Sequence, residues 1–403
     1  MSSIASVRRR RTMMMVGASV VVVLALGALL AVGALALARY EGGKDRTVDA
    51  TPIPVTHVGM LASVDDQDAL TGVTMFVTRP PAADGAAAGG GSIVPVPVSA
   101  DVLAGLDGQR QSLAEAYATD GPDGLVLAVE SLLSLTVDQF LVADPDQLAE
   151  ILQPLSPVDV QLPDDVVDTQ GGDDVVLYSA GDASLSGKQL SDVLNARRDG
   201  QTDADRRPTY SNVWEGIAAA VGEGRTLPSE VAPSNLQQLV DQVYAGPAES
   251  RHIAAGPLPA GTVAPDRDVE VLDRGDAVMV FASISPSSMS APSTGLVFRV
   301  EAPPGYEDKV KWTVDALLYL NSNVGWVFQQ GPVQEQTKVL LSDASLSNDA
   351  LGAENLFGDS FEQGVIEQPI EGIDVIIQLG TSFLEDPTTG ATLPSTTTTT
   401  TTP

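Results

Sequence analysis

Four arginines stand in an otherwise acidic stretch: Arg197, Arg198, Arg206 and Arg207. A guanidinium is a rigid fork of donors that matches carboxylate and phosphate oxygens. The interleaved Asp199, Asp203 and Asp205 allow another use, local salt bridges at a solvated helix end and loop. The residue types leave both open. Other chemistries are narrowed by composition. The chain has no cysteine, which removes thiol catalysis and Cys-ligated metals. His57 and His252 are its two histidines, and neither lies in a recognisable Ser-His-Asp or multi-His motif. No Gly-x-Ser-x-Gly elbow, P-loop or dinucleotide fingerprint occurs. Paired acids such as Asp164-Asp165 and Asp173-Asp174 read as acidic loops.

The formal net charge is -31 over 403 residues. Nucleic-acid binding needs a basic footprint, so no nucleic-acid partner is expected. The acidity reads as a solvated surface. Hydrophobic residues make up 43% of the chain, enough for a packed core without disulfides.

Arg8, Arg9, Arg10 and Arg11 precede residues 12–38, which carry no charge. About 20 apolar residues in a helix cross a bilayer, and flanking arginines stay in the cytoplasm. The pattern predicts one transmembrane helix, a cytoplasmic N-terminus and an extracytoplasmic body. Ala36-Leu37-Ala38 offers a signal-peptide cleavage site, but an h-region runs only about 7–15 residues. The expected segments are a basic segment at 1–11, the span at 12–38, a linker at 39–55, a folded domain at 56–248, a connector at 249–292, a smaller domain at 293–386 and a Thr-rich disordered tail at 387–403.

The first domain alternates strands and helices, which argues for an α/β layered fold. Strands are predicted at 73–78, 92–98, 137–142 and 158–162, with the prolines of 92–98 favouring an edge or rim. A flexible Ala/Gly-rich loop is expected at 82–91. Leu125, Val129, Leu132 and Leu133 share a helical face. Asp144-Pro145-Asp146-Gln147 is a helix start, with Asp as cap, Pro at the first turn and Gln three residues on. Ser186 caps a helix presenting Leu190, Val193 and Leu194. These faces read as core rather than a lipid tunnel. In the connector, 269–272 and 278–281 are expected to form a short hairpin. The smaller domain reads as βαβ-βαβ: strands at 295–300, 324–329, 337–342 and 373–379, helices at 310–320 and near 349–356.

The order of motifs resembles the LytR-CpsA-Psr domain. The residues that carry the resemblance are Val73-Thr74-Met75-Phe76, then Val96-Pro97, then Leu113-Ala114-Glu115-Ala116-Tyr117-Ala118 with Asp120-Gly121-Pro122. Val137-Asp138-Gln139-Phe140, and Leu185-Ser186-Gly187-Lys188-Gln189-Leu190 leading to Arg197-Arg198, complete it. The second domain resembles the LytR C-terminal domain through Asp374-Val375 and Leu379-Gly380-Thr381-Ser382-Phe383. The resemblance implies a membrane-anchored protein that transfers a glycopolymer from polyprenyl pyrophosphate to peptidoglycan. It also implies phosphate-gripping arginines, carboxylates holding Mg2+ and an apolar cavity for the lipid tail.

The departures fall on that chemistry. Val73 stands where the family's metal-binding Asp is expected, Val98 and Ser99 where its Arg-Asp pair is expected, and Tyr210 where a final Arg is expected. Arg197, Arg198, Arg206 and Arg207 remain as phosphate-binding candidates, and Asp65, Asp66 and Asp205 as metal candidates. The sequence therefore reads as a degenerate, non-catalytic member binding a polyprenyl-phosphate-linked glycopolymer, a wall polymer or a partner protein. The alternatives are a working phosphotransferase using Mg2+, and an unrelated envelope interaction module.

Overall fold

The computed structural model describes residues 50–82, 85–104, 109–222, 232–258, 264, 267–291, 294–346, 356–357 and 361–386. The expected membrane span and Thr-rich tail lie outside them. Among the described residues no helix is long and apolar enough to cross a membrane.

The chain begins with β1 (Val58–Val64), β2 (Leu70–Thr78), β3 (Gly91–Val96), β4 (Asp101–Ala104), β5 (Gln109–Ser112) and α1 (Leu113–Leu133). β6 (Gln139–Ala143), α2 (Pro145–Leu152), β7 (Val158–Leu162), β8 (Val166–Gln170), β9 (Asp173–Tyr178) and β10 (Gly181–Leu185) follow. Then come α3 (Gly187–Asn195), α4 (Asp203–Ala220), α5 (Leu236–Tyr244), β11 (Ala248–Ser250), β12 (Ala255–Pro257), β13 (Glu270–Leu272) and α6 (Arg274–Ile284). The last part holds β14 (Val297–Glu301), α7 (Glu307–Tyr319), β15 (Asn323–Phe328), β16 (Thr337–Leu341), β17 (Phe361–Val365), β18 (Val375–Gln378) and α8 (Thr381–Leu384).

The central sheet runs β11-β3-β2-β1-β6. Its two faces follow from the period of two along a strand. On β2, Val73, Met75 and Val77 pack with Leu113, Val129 and Leu133 of α1 and with Phe281 of α6. Phe76 faces the opposite way, against Trp214 of α4 and Val243 and Tyr244 of α5. The sheet is thus covered on both sides, the α/β layering expected from the alternation. β11 pairs only with Gly91, Ser92 and Ile93, so the Pro95 end of β3 runs on past its partner. That rim is where a residue without an N–H is tolerated.

Local signals explain the helix starts. Asp144 and Gln147 form a capping box on α2, and Ser186 and Gln189 another on α3. Ser112 and Glu115 cap α1, which therefore begins earlier than its apolar stripe suggested. Gly121 kinks α1 with φ 68, a left-handed value that glycine adopts without strain. Gly187 lets α3 approach α2: a Cβ there would lie 2.7 Å from the Gln153 backbone.

The second sheet runs β15-β14-β18-β16-β17, parallel except between β16 and β18. Val310, Val314 and Leu317 of α7 pack on one face beside Val278 and Ala282 of α6. On the other face Ile53 joins Ile366, Ile373 and Ile376. Three expectations change here. The hairpin of 269–272 with 278–281 does not form: β13 pairs with β12, and Val278 to Phe281 lie inside α6. A helix lets both sides of that apolar run be buried, one against each sheet. The connector is not a spacer, since β11 and β13 belong to the first domain. The end of the expected linker is bonded in place: Thr51 N–H donates to the Pro369 carbonyl at 2.8 Å. The helix expected near 349–356 falls almost wholly outside the described residues.

Candidate functional site

α4 carries the charged residues and opens on a capping box. The Thr202 hydroxyl accepts from Asp205 N–H at 3.2 Å, and the Asp205 carboxylate accepts from the Thr202 N–H at 3.1 Å and hydroxyl at 2.8 Å. These bonds to Thr202 hold the Asp205 carboxyl below its ordinary pKa. Asp205, expected as a metal candidate, is a capping residue. Asp65 has a comparable local role: its carboxylate accepts from the Gln67 and Ala69 N–H groups at 2.8 and 2.9 Å and shapes the β1–β2 turn. Asp66 is exposed on a broad cleft of about 1210 Å³ that Arg197, Arg198 and Asp199 also line.

The four arginines do not converge on one point. Arg206 is buried, and its Nη1 and Nη2 donate to the carbonyls of Thr71 at 3.1 Å and Leu194 at 2.8 Å. It staples α4 to β2 and α3. Burial pulls its pKa down, while Asp203 opposes that. Arg207, one residue on, pairs with Glu270 from β13 and stands 4.0 Å from Asp203. Arg197 reaches Asp268 at 3.4 Å and the Gln201 carbonyl at 3.3 Å. Arg198 is exposed, and its N–H donates to the Gln201 side chain at 3.2 Å.

Between the carboxylates lies Ser99, 1% exposed. Its hydroxyl is 2.5 Å from a Glu270 oxygen and 3.1 Å from an Asp203 oxygen. A hydroxyl has one proton and cannot donate to both. Burial pushes the Asp203 carboxyl above its ordinary pKa, against the pull of Arg206 and Arg207. Ser99 thus sits between both carboxylates, with a proton for one of them at a time. Ser99, read from sequence as a lost position, is therefore central to the cluster.

The other three departures sort differently. Val73 does not face the cluster: it lies on the α1 side of β2, and its neighbour Thr74 takes the α4 side. A one-residue slip in strand register exchanges faces, so the sequence placed the loss on the wrong side of the sheet. Val98 and Tyr210 do meet, lining a slot of about 30 Å³ with Pro95, Pro97, Arg207 and His252. By a measure in which one water needs roughly 10–15 Å³, it has room for two or three waters at most and no prenyl chain. The Tyr210 hydroxyl bonds Thr74 Oγ1 at 3.0 Å and covers Gly72, where a Cβ would lie 2.2 Å from it. Behind it an aromatic file continues through Trp214 and Phe76 to Tyr244, with centroid spacings of 6.2, 5.7 and 6.2 Å. The layer between the sheet and the helices α4 and α5 is filled there.

Magnesium takes a near-octahedral shell of oxygen ligands, usually anchored by one or two carboxylates. Among the described residues no group of three or more His, Asp or Glu side chains gathers to hold a metal ion. Glu270 already has Arg207 as its counter-charge. The residues as arranged do not fit a divalent cation. Glu270 and Asp268 were missed from sequence, because nothing marks a connector residue as reaching α4. The four-residue step from Asp203 to Arg207 was a legible signal, since it puts both on one helical face.

An independent comparison now bears on the motifs. Residues 93–243 match the LytR_cpsA_psr family. The matched segment begins inside β3 and ends inside α5, leaving β1, β2 and the second sheet outside it. It contains Ser99, Arg197, Arg198, Asp203, Arg206, Arg207 and Tyr210, but not Asp268 or Glu270. No curated protein matches the chain. Similar solved structures include B. subtilis TagV, at 15% identity over 55% of this chain and 91% of that one, with a TM-score of 0.36. B. subtilis TagT gives 16% identity over 59% and 90%, with a TM-score of 0.37. A TagT structure with bound octaprenyl pyrophosphate lipid gives 16% over 55% and 86%, with a TM-score of 0.36. Likenesses this loose carry no residue correspondence.

Proposed function

We propose that this protein is a membrane-anchored, extracytoplasmic LytR-CpsA-Psr protein of envelope biogenesis that binds a wall glycopolymer or a protein partner without catalysing transfer. The observation that carries the reading is the state of the arginines. Arg206 is spent on backbone carbonyls, and Arg207 and Arg197 are spent on Glu270 and Asp268. A transferase needs preorganised positive charge facing the phosphoryl group, and here Arg206 is buried while Arg197 and Arg207 are already paired with acids. The filled layer behind Tyr210 argues against a lipid tail lying there, which favours the polymer or partner over the polyprenyl chain. The second sheet is read as a LytR C-terminal-type domain on the strength of Asp374-Val375 and Leu379-Gly380. Anchorage by residues 12–38 rests on their composition.

Purified ectodomain given Mg2+ and a polyprenyl-pyrophosphate-linked glycopolymer should release no polyprenyl phosphate. Robust release that disappears in Arg197→Ala or Arg207→Ala would overturn the reading and establish the working phosphotransferase in its place. That alternative keeps one supporting fact: Asp203, Arg207 and Glu270 are still charged residue types clustered under the slot.

A further inference from the structure

The second sheet has unequal faces. Its helix-covered face buries Phe298, Val300, Val339 and Ile377 with residues of α6 and α7. α6 turns its other side to the first sheet through Ala277, Val280 and Phe281. The opposite face of the second sheet is more sparsely covered. Among the described residues, Ile366, Ile373 and Ile376 are buried there, and Ile53, Val297, Trp326, Leu340 and Ile370 are half-buried around them. No helix residue belongs to this cluster. Two cations stand beside it, each with an acid. Arg299 lies 3.8 Å over the Trp326 ring and pairs with Glu301 at 2.7 Å, and Lys338 is 3.9 Å from Glu362. The N-terminal strap crosses this same face. The Glu371 N–H donates to the Thr51 carbonyl at 3.1 Å, and Ile53 packs into the apolar patch. Residues 39–50 are all that separates Thr51 from the uncharged run at 12–38. Fully extended, ~12 residues reach about 40 Å at most.

We propose that this face of the second sheet rests on the bilayer surface, with Trp326 at the level of the lipid head groups. This rests on the reading of residues 12–38 as an anchor and adds which face the anchored body turns to the lipid. The tether joins the body at the patch itself. A tether this short holds the patch near lipid at high effective concentration, so a weak contact suffices. The residue types suit the place. Indole rings settle at the membrane–water interface, and a lysine lays its stem on apolar surface while its head stays in water. Because Glu301 and Glu362 offset Arg299 and Lys338, the attraction is apolar and needs no anionic lipid.

The test uses the full chain in phosphatidylcholine nanodiscs, with and without bromine on the upper part of the acyl chains. Bromine quenches an indole only at contact range. The tryptophans of the chain are Trp214, Trp312 and Trp326, so the span itself contributes no tryptophan emission. Trp214 is 1% exposed in the first domain, and Trp312 packs on the helix-covered side of the second sheet. The native chain should lose part of its emission in brominated discs. Trp326→Phe should lose none, and Trp312→Phe should still show the loss. Entry into the disc is read separately, by co-elution. A chain that does not enter overturns the anchor reading and this proposal with it. A chain that enters but keeps its full emission, or whose loss survives Trp326→Phe, overturns this proposal alone. If Trp326→Phe does not fold, Trp312→Phe decides: a retained loss supports the proposal and a vanished one overturns it.

Discussion

Tyr210 and Gly72 show how a side chain and a missing side chain define each other. The phenol lies where a Cβ on residue 72 would be 2.2 Å away, with Ser63 Oγ a further neighbour at 2.8 Å. Gly72→Ala should therefore destabilise the ectodomain by about 1–3 kcal/mol, the usual range for overpacking. Tyr210→Phe loses one hydrogen bond to Thr74 and should cost about 1 kcal/mol. Combined, the two should cost less than their sum in chemical denaturation, because Phe removes the nearest clashing atom. Strict additivity would show that the contact is not felt. From sequence, Tyr210 was legible only as a departure, an aromatic where a charge was expected. That it fills space rather than merely lacking a charge required Gly72, on another element. Val73 was misplaced for a simpler reason: strand periodicity fixes which residues alternate but not which set faces α4.

At the scale of elements, α6 and α7 are joined by Lys311, whose ammonium meets Asp273 at 2.9 Å and Asp315 at 3.0 Å. Burial works against the charge on both sides. The bonds nevertheless hold the Asp273 carboxyl below its ordinary pKa, through the Asp276 N–H and Lys311, and hold Lys311 above its own. The signs follow by linkage. A depressed carboxyl contributes stability present above its unfolded pKa and lost as pH falls through the folded one. A raised lysine contributes stability that is lost as pH rises through its folded pKa. Lys311→Met should cost about 1 kcal/mol near neutrality, discounted because the pair is about one-third exposed. Its deficit relative to native should shrink toward both acid and strongly alkaline pH, read by urea midpoints across the range. A deficit independent of pH would assign the loss to packing. The capping boxes of α2 and α3 were readable because a cap is local, four residues of sequence. The misread 278–281 run was not, since a short apolar run suits a strand or a buried helix equally. Asp273 supplied the missing signal: it caps α6 by accepting the Asp276 N–H at 3.0 Å.

Over the whole molecule, the chain is stitched together at places where the sequence suggested spacers. Ile53 closes the outer face of the second sheet, and Thr51 pairs beside Ile370. Ile53→Asp should lower the melting temperature by several degrees and raise hydrogen exchange at β18. No change would mean that residues 51–53 lie on the sheet without holding it. Such long-range seams are invisible to composition, because Pro, Thr and Ile before a domain look the same in a linker as in a strap. The charged cluster is the same kind of seam, with β13 brought to α4 by the fold alone. It carries the central claim that Arg197, Arg206 and Arg207 are already occupied by the chain's own acids and carbonyls. The most direct measurement follows the 31P resonances of a short-chain polyprenyl-pyrophosphate glycolipid mixed with native ectodomain and Mg2+. Closed arginines predict diphosphate lines unchanged in position, width and intensity over many hours. Broadening of those lines followed by growth of a monophosphate resonance, both lost in Arg207→Ala, would contradict it.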